Sequence, residues 1–248
     1  MKMKHILNFS SSLCFLLMFT LAQAQEKPAA TSNVEQVADS IPVKKDRYGL
    51  RVGVDLFKLT RGFYDKNYKG IELTGDFRWN KKYYLAAELG NENKTTEDDR
   101  LTSNSKGSYL KAGFDYNMYE NWLDMENIIS IGLRYGFSTF SQELNSYKIY
   151  NPNPYWGELP PIPATEQFNG LNASWIEVVT GMKAKMFNNV FVGFSVQLKT
   201  LVTNKKPEGF DNLYIPGFNR TYNGSFGIGF NYSVTYFVPL YKKKVVVK

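Results

Sequence analysis

The chain has 248 residues, 43% hydrophobic and 16% aromatic, with one Cys, one His and a formal charge of +7. Cys14 and His5 both fall in an N-terminal export signal, so the mature chain has no thiol nucleophile, disulfide, imidazole base or Cys/His metal site, and serine catalysis through a histidine is excluded. Loss of Lys2 and Lys4 leaves 28 basic against 23 acidic residues, a surplus too mild and too scattered for a nucleic-acid binder.

In chain order the signal comes first. Lys2, Lys4 and His5 form a basic start, Ile6 to Leu21 is an apolar run broken by serines, and Ala22-Gln23-Ala24 is a small-residue cleavage site. The pattern predicts a signal peptide over 1–24, cut between Ala24 and Gln25. Leu13 before Cys14 disfavours a lipid anchor, and no later segment approaches the ~18 apolar residues of a membrane helix. Residues 25–46 are polar, carry prolines and lack aromatics, so they bury too little apolar area to offset ordering. They read as a flexible periplasmic leader, a spacer or a tether.

From there hydrophobicity alternates with a period of two, the mark of a strand with one apolar face. Eight segments follow, near 48–58, 69–79, 83–90, 108–118, 127–139, 174–185, 190–202 and 222–238. Tight turns at 80–82, 119–126 and 187–189 alternate with loops at 59–68, 91–107, 140–173 and 203–221, and all ten prolines fall outside the strands. An even strand number places both ends on one side. The expected fold is an all-β, eight-stranded antiparallel up-and-down transmembrane β-barrel over 47–241, with N- and C-termini periplasmic and a basic tail over 242–248.

A lipocalin-like soluble barrel shows the same alternation with apolar side chains inside. The membrane orientation is favoured by aromatics at the expected periplasmic ends (Tyr48, Trp79, Tyr83, Tyr116, Tyr119, Trp122, Phe187, Tyr236), by nearby lysines and by glycines on the polar face. Ser225-Phe-Gly-Ile-Gly-Phe-Asn-Tyr232 resembles the signal by which the outer-membrane assembly machinery recognises a last strand, though this chain runs on to Lys248. Residues 47–241, with the Gln25 start, resemble the uncharacterised small outer-membrane barrels of Bacteroidota. That resemblance implies the fold, a lipid and lipopolysaccharide environment and no cofactor or activity.

Inward positions carry Arg51, Arg78, Lys111, Arg134, Lys183 and Lys199 against Asp55, Glu72, Asp76, Glu88, Asp115 and Glu177. Eight strands enclose a space that side chains fill, so matched charges predict a salt-bridged plug and no open pore; a narrow gated channel is the alternative. An enzymatic role is disfavoured by the absent histidine. Loop 140–173 holds half the prolines and exposes Tyr150, Tyr155 and Trp156 beside Glu158, a candidate site for a glycan or protein ligand unless its aromatics fold back over the barrel mouth. Glu97, Asp98 and Asp99 with Glu92 form an acidic loop without calcium-site spacing.

Overall fold

The computed structural model describes residues 43–121, 125–152, 155, 157, 159–220 and 224–246; the signal, its cleavage point at Ala24 and Gln25, most of the leader, Trp122, Trp156 and Glu158 lie outside the described residues. Eight strands form one closed antiparallel barrel in sequence order: β1 (Val43–Asp55), β2 (Tyr68–Arg78), β3 (Tyr83–Asp98), β4 (Leu101–Asn117), β5 (Ile128–Tyr147), β6 (Ile162–Lys185), β7 (Val190–Asn204) and β8 (Phe226–Val246). A helix, α1 (Leu56–Tyr64), separates β1 from β2.

The alternation has the expected parity, and its polar side faces in. Along β5 exposed Ile129, Ile131, Leu133, Tyr135 and Phe137 interleave with buried Ser130, Arg134 and Ser138. Leu89, Leu110 and Phe137 sit in one cross-strand row and are about half exposed, whereas Glu72, Glu177 and Lys111 are fully enclosed. This inverts the arrangement of a water-soluble barrel, whose apolar side chains fill the middle.

At the rim holding the chain ends β2 turns into β3 and β6 into β7 within about four residues, while about ten separate β4 from β5. The Asn80 side chain accepts from Lys82 N and Tyr83 N at 2.8 Å each, an Asx-type turn that reverses β2 into β3. Asn117 Oδ1 likewise accepts from Tyr119 N and Ile129 N. At the same rim Glu126 accepts from Arg47 Nε at 2.8 Å and lies 3.0 Å from Lys185 Nζ. Burial pushes its carboxyl pKa up, but the hydrogen bonds and charges of Arg47 and Lys185 outweigh that and hold it below the ordinary value.

Several expected boundaries are corrected. Residues 59–68 are no loop: Asp55 ends β1, and its Oδ1 caps α1 by accepting from Phe57 N at 2.7 Å. The loops 91–107 and 140–173 are mostly strand, because β3 and β4 run on to a hairpin tip at Asp99 and Arg100, and β5 and β6 extend to Tyr147 and from Ile162. The end of the leader and the basic tail pair with each other, Val43 with Val246 through Tyr48 with Tyr241, as a ribbon beyond the other strands. Two prolines therefore do lie in strands. Pro239 faces Gly49 at a bulge and Pro163 faces Ser146 at a register shift, positions where a missing N–H is tolerated. The same bulge turns Tyr48 inward, so it stacks on Tyr241 and leaves the expected girdle; Trp79, Tyr83, Phe187 and Tyr236 remain exposed.

Candidate functional site: a filled lumen and its rim

The lumen is filled by ion pairs whose members come from most of the strands. Toward the terminal rim, Asp76 accepts from Arg51 Nε at 2.6 Å and Lys183 Nζ at 2.5 Å, with the Arg51 guanidinium over the Tyr84 and Phe191 rings. In the middle, Arg134 pairs with Glu88 and with Asp115 at 3.1 Å. Lys111 lies 2.9 Å from Glu88, 3.4 Å from Glu72 and 3.6 Å from Glu177, which Lys199 approaches at 3.5 Å. Opposite charges at these separations, each also held by hydrogen bonds, are what make buried ions tolerable.

Sequence position brought eleven of the twelve expected lumen residues inside. Asp55 is among them, but it serves the helix cap and its Oδ2 has no hydrogen-bond partner. Arg78 is the exception. It sits at the terminal rim, donating to the Arg47 carbonyl at 2.8 Å, 3.8 Å from Asp46 and stacked over Tyr48.

A third tier was not anticipated. Lys58, on the inward side of α1, bridges Glu72 at 2.7 Å and Glu92 at 2.8 Å and donates to the Tyr109 hydroxyl, which itself donates to Glu72 at 2.6 Å. Glu92 is thus a buried lumen residue, apart from Glu97, Asp98 and Asp99, because β3 continues through it. The readable signals were Asp55 as a cap and the loss of period two after Leu56.

Over this tier lies the β7–β8 segment, 205–225, described over 205–220 and 224–225. Tyr214 Oη donates to Glu92 Oε2 at 2.7 Å, Gly217 N to the same oxygen at 3.0 Å, and Lys199 Nζ to the Gly217 carbonyl at 2.7 Å. Ser105 Oγ and Gln142 Nε2 hold the Tyr214 and Asp211 carbonyls. Ile215 and Phe218 then pack, fully buried, on Tyr109, Phe140, Leu171 and Trp175, so an apolar stopper closes the mouth above the ions. Gly217 adopts φ +83° and its α-carbon lies against the Tyr109 ring, where a side chain would collide. This segment folds over the mouth, and from 140–173 Phe140, Leu171 and Phe168, the last stacked on Phe210, pack against it.

Tyr150 and Tyr155 stay exposed on the rim. Tyr150 lines a surface groove of about 440 Å³ with Arg100, Lys148, Asn151 and Leu159, and Arg100 lies over its ring at 4.3 Å. Inside the barrel a polar cavity of about 30 Å³ among Glu88, Asp115, Arg134, Lys183 and Asn231 has room for one or two waters. Among the described residues no His, Cys, Asp and Glu cluster could hold a metal ion. At the loop rim, Asp65 accepts from Lys94 Nζ at 2.8 Å; burial raises its pKa, but Lys94 and Arg61 more than offset this and lower it.

A closed eight-stranded up-and-down barrel with a packed, ion-paired interior and an apolar exterior is the class this geometry defines. The chain belongs to the family described as a domain of unknown function, DUF6048, whose model matches residues 6–243. No curated protein matches it in sequence. Among solved structures it is similar to Ail, the attachment invasion locus protein of Yersinia pestis, at 10% identity over 77% of this chain and 97% of that one, with a TM-score of 0.40. Nothing about attachment or invasion carries over at that distance.

Proposed function

We propose that the protein is an integral outer-membrane barrel that conducts nothing and acts at the envelope surface, as a structural element or as a binder through its outward loops. The observation that carries this is the inverted burial: Leu73, Leu89, Leu110, Leu198 and Phe230 stand about half exposed on the outer face while Glu72, Lys111 and Glu177 are enclosed. Such a belt is stable against acyl chains and costly against water. No helix among the described residues is long and apolar enough to cross a membrane. On this reading the chain ends face the periplasm, consistent with the export signal and with the short turns at that rim.

Three stacked obstructions support the absence of conduction: the Arg51–Asp76–Lys183 tier, the Arg134–Lys111 tier and the Ile215–Phe218 stopper. No enzymatic role is assigned, and the groove beside Tyr150 is the proposed site for a surface ligand, glycan or protein. On this reading the surrounding lipid includes lipopolysaccharide, and the outer-membrane assembly machinery is the partner in biogenesis. Two measurements test the reading. The purified barrel is expected to need detergent, to migrate faster unheated than boiled on gels and to give silent planar bilayers. A folded monomer in detergent-free buffer would refute the membrane assignment, and steady unitary conductance the closed lumen.

A further inference from the structure

Beyond the belt, β3 to β6 keep rising while their neighbours stop: β2 pairs with β3 only as far as Lys94 and β7 with β6 only as far as Ala173. The result is a four-stranded wall whose inner face carries the stopper. Its outer face changes character within one step of the pleat. Leu89, Leu110 and Phe137 form the last apolar row; two residues further along each strand the row reads Asn91, Ser108, Thr139 and Asn172. Above that come Asn93 with Lys106 and Ser141, then Thr95, Asn104, Glu143 and Gln167. Lys106 and Glu143 cancel, and every other group is a neutral amide or hydroxyl.

These amides are braced sideways. Asn91 Nδ2 donates to Ser108 Oγ at 2.9 Å, and Asn104 Nδ2 donates to Asn93 Oδ1 at 2.7 Å and Thr95 Oγ1 at 3.0 Å. Among the described residues the side-chain carbonyls of Asn91 and Asn104 and the side-chain amino group of Asn93 make no hydrogen bond, so an ordered array of donors and acceptors faces outward. A protein-binding face would carry aromatic or Met anchors, and a phosphate-binding face would carry arginines and lysines in number; this one carries neither. Alternating fixed donors and acceptors at zero net charge complement the hydroxyls of a neutral sugar.

We propose that the outer face of this wall binds the oligosaccharide of the glycolipid surrounding the barrel. The proposal rests on the membrane reading, because the saccharide is placed by continuity: a lipid whose acyl chains lie on Leu89, Leu110 and Phe137 presents its sugars to the rows directly above. The groove at the crest, with Arg100 over Tyr150, extends the same surface to more distal sugars.

The test is side-chain amide NMR of the detergent-solubilised barrel, following the NH₂ signals of Asn91, Asn93 and Asn104. Three probes are titrated: free core oligosaccharide, lipopolysaccharide bearing that core, and lipid A without it. The first two are expected to shift those signals saturably while lipid A alone leaves them in place. Asn93→Ala/Asn104→Ala is expected to weaken binding, read at the remaining Asn91 signal, about tenfold or more, as loss of two to three hydrogen bonds predicts, with heat-modifiable migration unchanged. Shifts with lipid A alone would reassign the face to phosphate, and no shift with any probe would leave a merely solvated face; both overturn the proposal. Failure of the membrane reading has its own signature, a folded monomer without detergent.

Discussion

Replacing Glu92 by Ala should release the stopper without opening the barrel. Glu92 accepts from Tyr214 Oη, Gly217 N and Tyr68 Oη at 2.7, 3.0 and 3.1 Å and pairs with Lys58 at 2.8 Å. Stripping one partner from a buried ion pair costs ~3–5 kcal/mol, but Lys58 keeps Glu72 at 2.7 Å and forfeits only part of this. Each orphaned donor adds ~1–3 kcal/mol, discounted for Tyr214, which retains Asn219 Oδ1 at 3.1 Å. The total is about 3–5 kcal/mol, concentrated where β3 meets segment 205–225. Because that segment can regain hydrogen bonds in water by lifting away, the loss should appear as local opening more than as global unfolding. Hydrogen exchange at Gly217 and at Phe218, whose N–H donates to Ile215 O at 3.1 Å, should quicken roughly 100-fold or more, since ~1.4 kcal/mol is a decade. Bilayer recordings of the same variant should stay silent, because the Arg134 and Arg51 tiers persist. Exchange within threefold of wild type would refute the idea that Glu92 fastens the mouth, and conductance would refute the lower tiers as barriers.

Glu72→Ala should destabilise the whole barrel by ~3–5 kcal/mol in denaturant melts, because it orphans Tyr109 Oη and Asn231 Nδ2 and leaves Lys58 and Lys111 short of a counter-charge; Arg78→Ala, at the partly solvated rim, should cost no more than ~1 kcal/mol. Gly136→Ala would set a methyl 2.6 Å from Trp175 Cζ2 and Nε1, and the indole is held by its bond to Glu177 Oε1 at 2.7 Å, so a loss of ~1–3 kcal/mol is expected in the same melts. The Arg47–Glu126–Lys185 clasp sets an acid limit. Its carboxyl pKa is lower in the fold than the ordinary 4.5, so its stabilisation is fully present above 4.5 and is lost as pH falls through the folded value. Below pH 4.5 the thermal midpoint of wild type should fall toward that of Glu126→Gln, which itself lacks this component; parallel curves for the two would count against the clasp.

Strand number, order and inward charges were legible because the belt imposes strong contrast. Where one face meets apolar surroundings and the other meets ions, as from Ile128 to Phe140, a period of two is unmistakable. The contrast fades once strands leave the belt. Asn91 to Asp98 and Leu101 to Ser108 are polar on both faces, so the sequence reads as loop while the ladder continues. The helix was hidden differently: Leu56 continues the apolar parity of β1, and the change is marked by the Asp55 cap and by the loss of period two only after Leu56. The mouth closure depends on contacts distant in sequence, such as Glu92 with Tyr214 and Gly217, which local pattern does not encode. Its local trace is the apolar cluster of Phe210, Leu213, Tyr214, Ile215, Pro216 and Phe218 within a segment whose ends are polar.

The ribbon joining Val43–Tyr48 to Tyr241–Val246 means that the opening strand must wait for the closing one. Until β8 is made, β1 presents an unpaired edge, and a ring of strands cannot seal by zippering neighbours alone; the seam has the highest loop-closure cost of any pairing in the molecule. Lys242 and Lys243 on β8 come to lie along that seam opposite Arg47 and Asp46, a charged edge that discourages pairing with a second chain. The tail that looks dispensable at the end of the sequence is therefore half of the latch by which the cylinder shuts on itself.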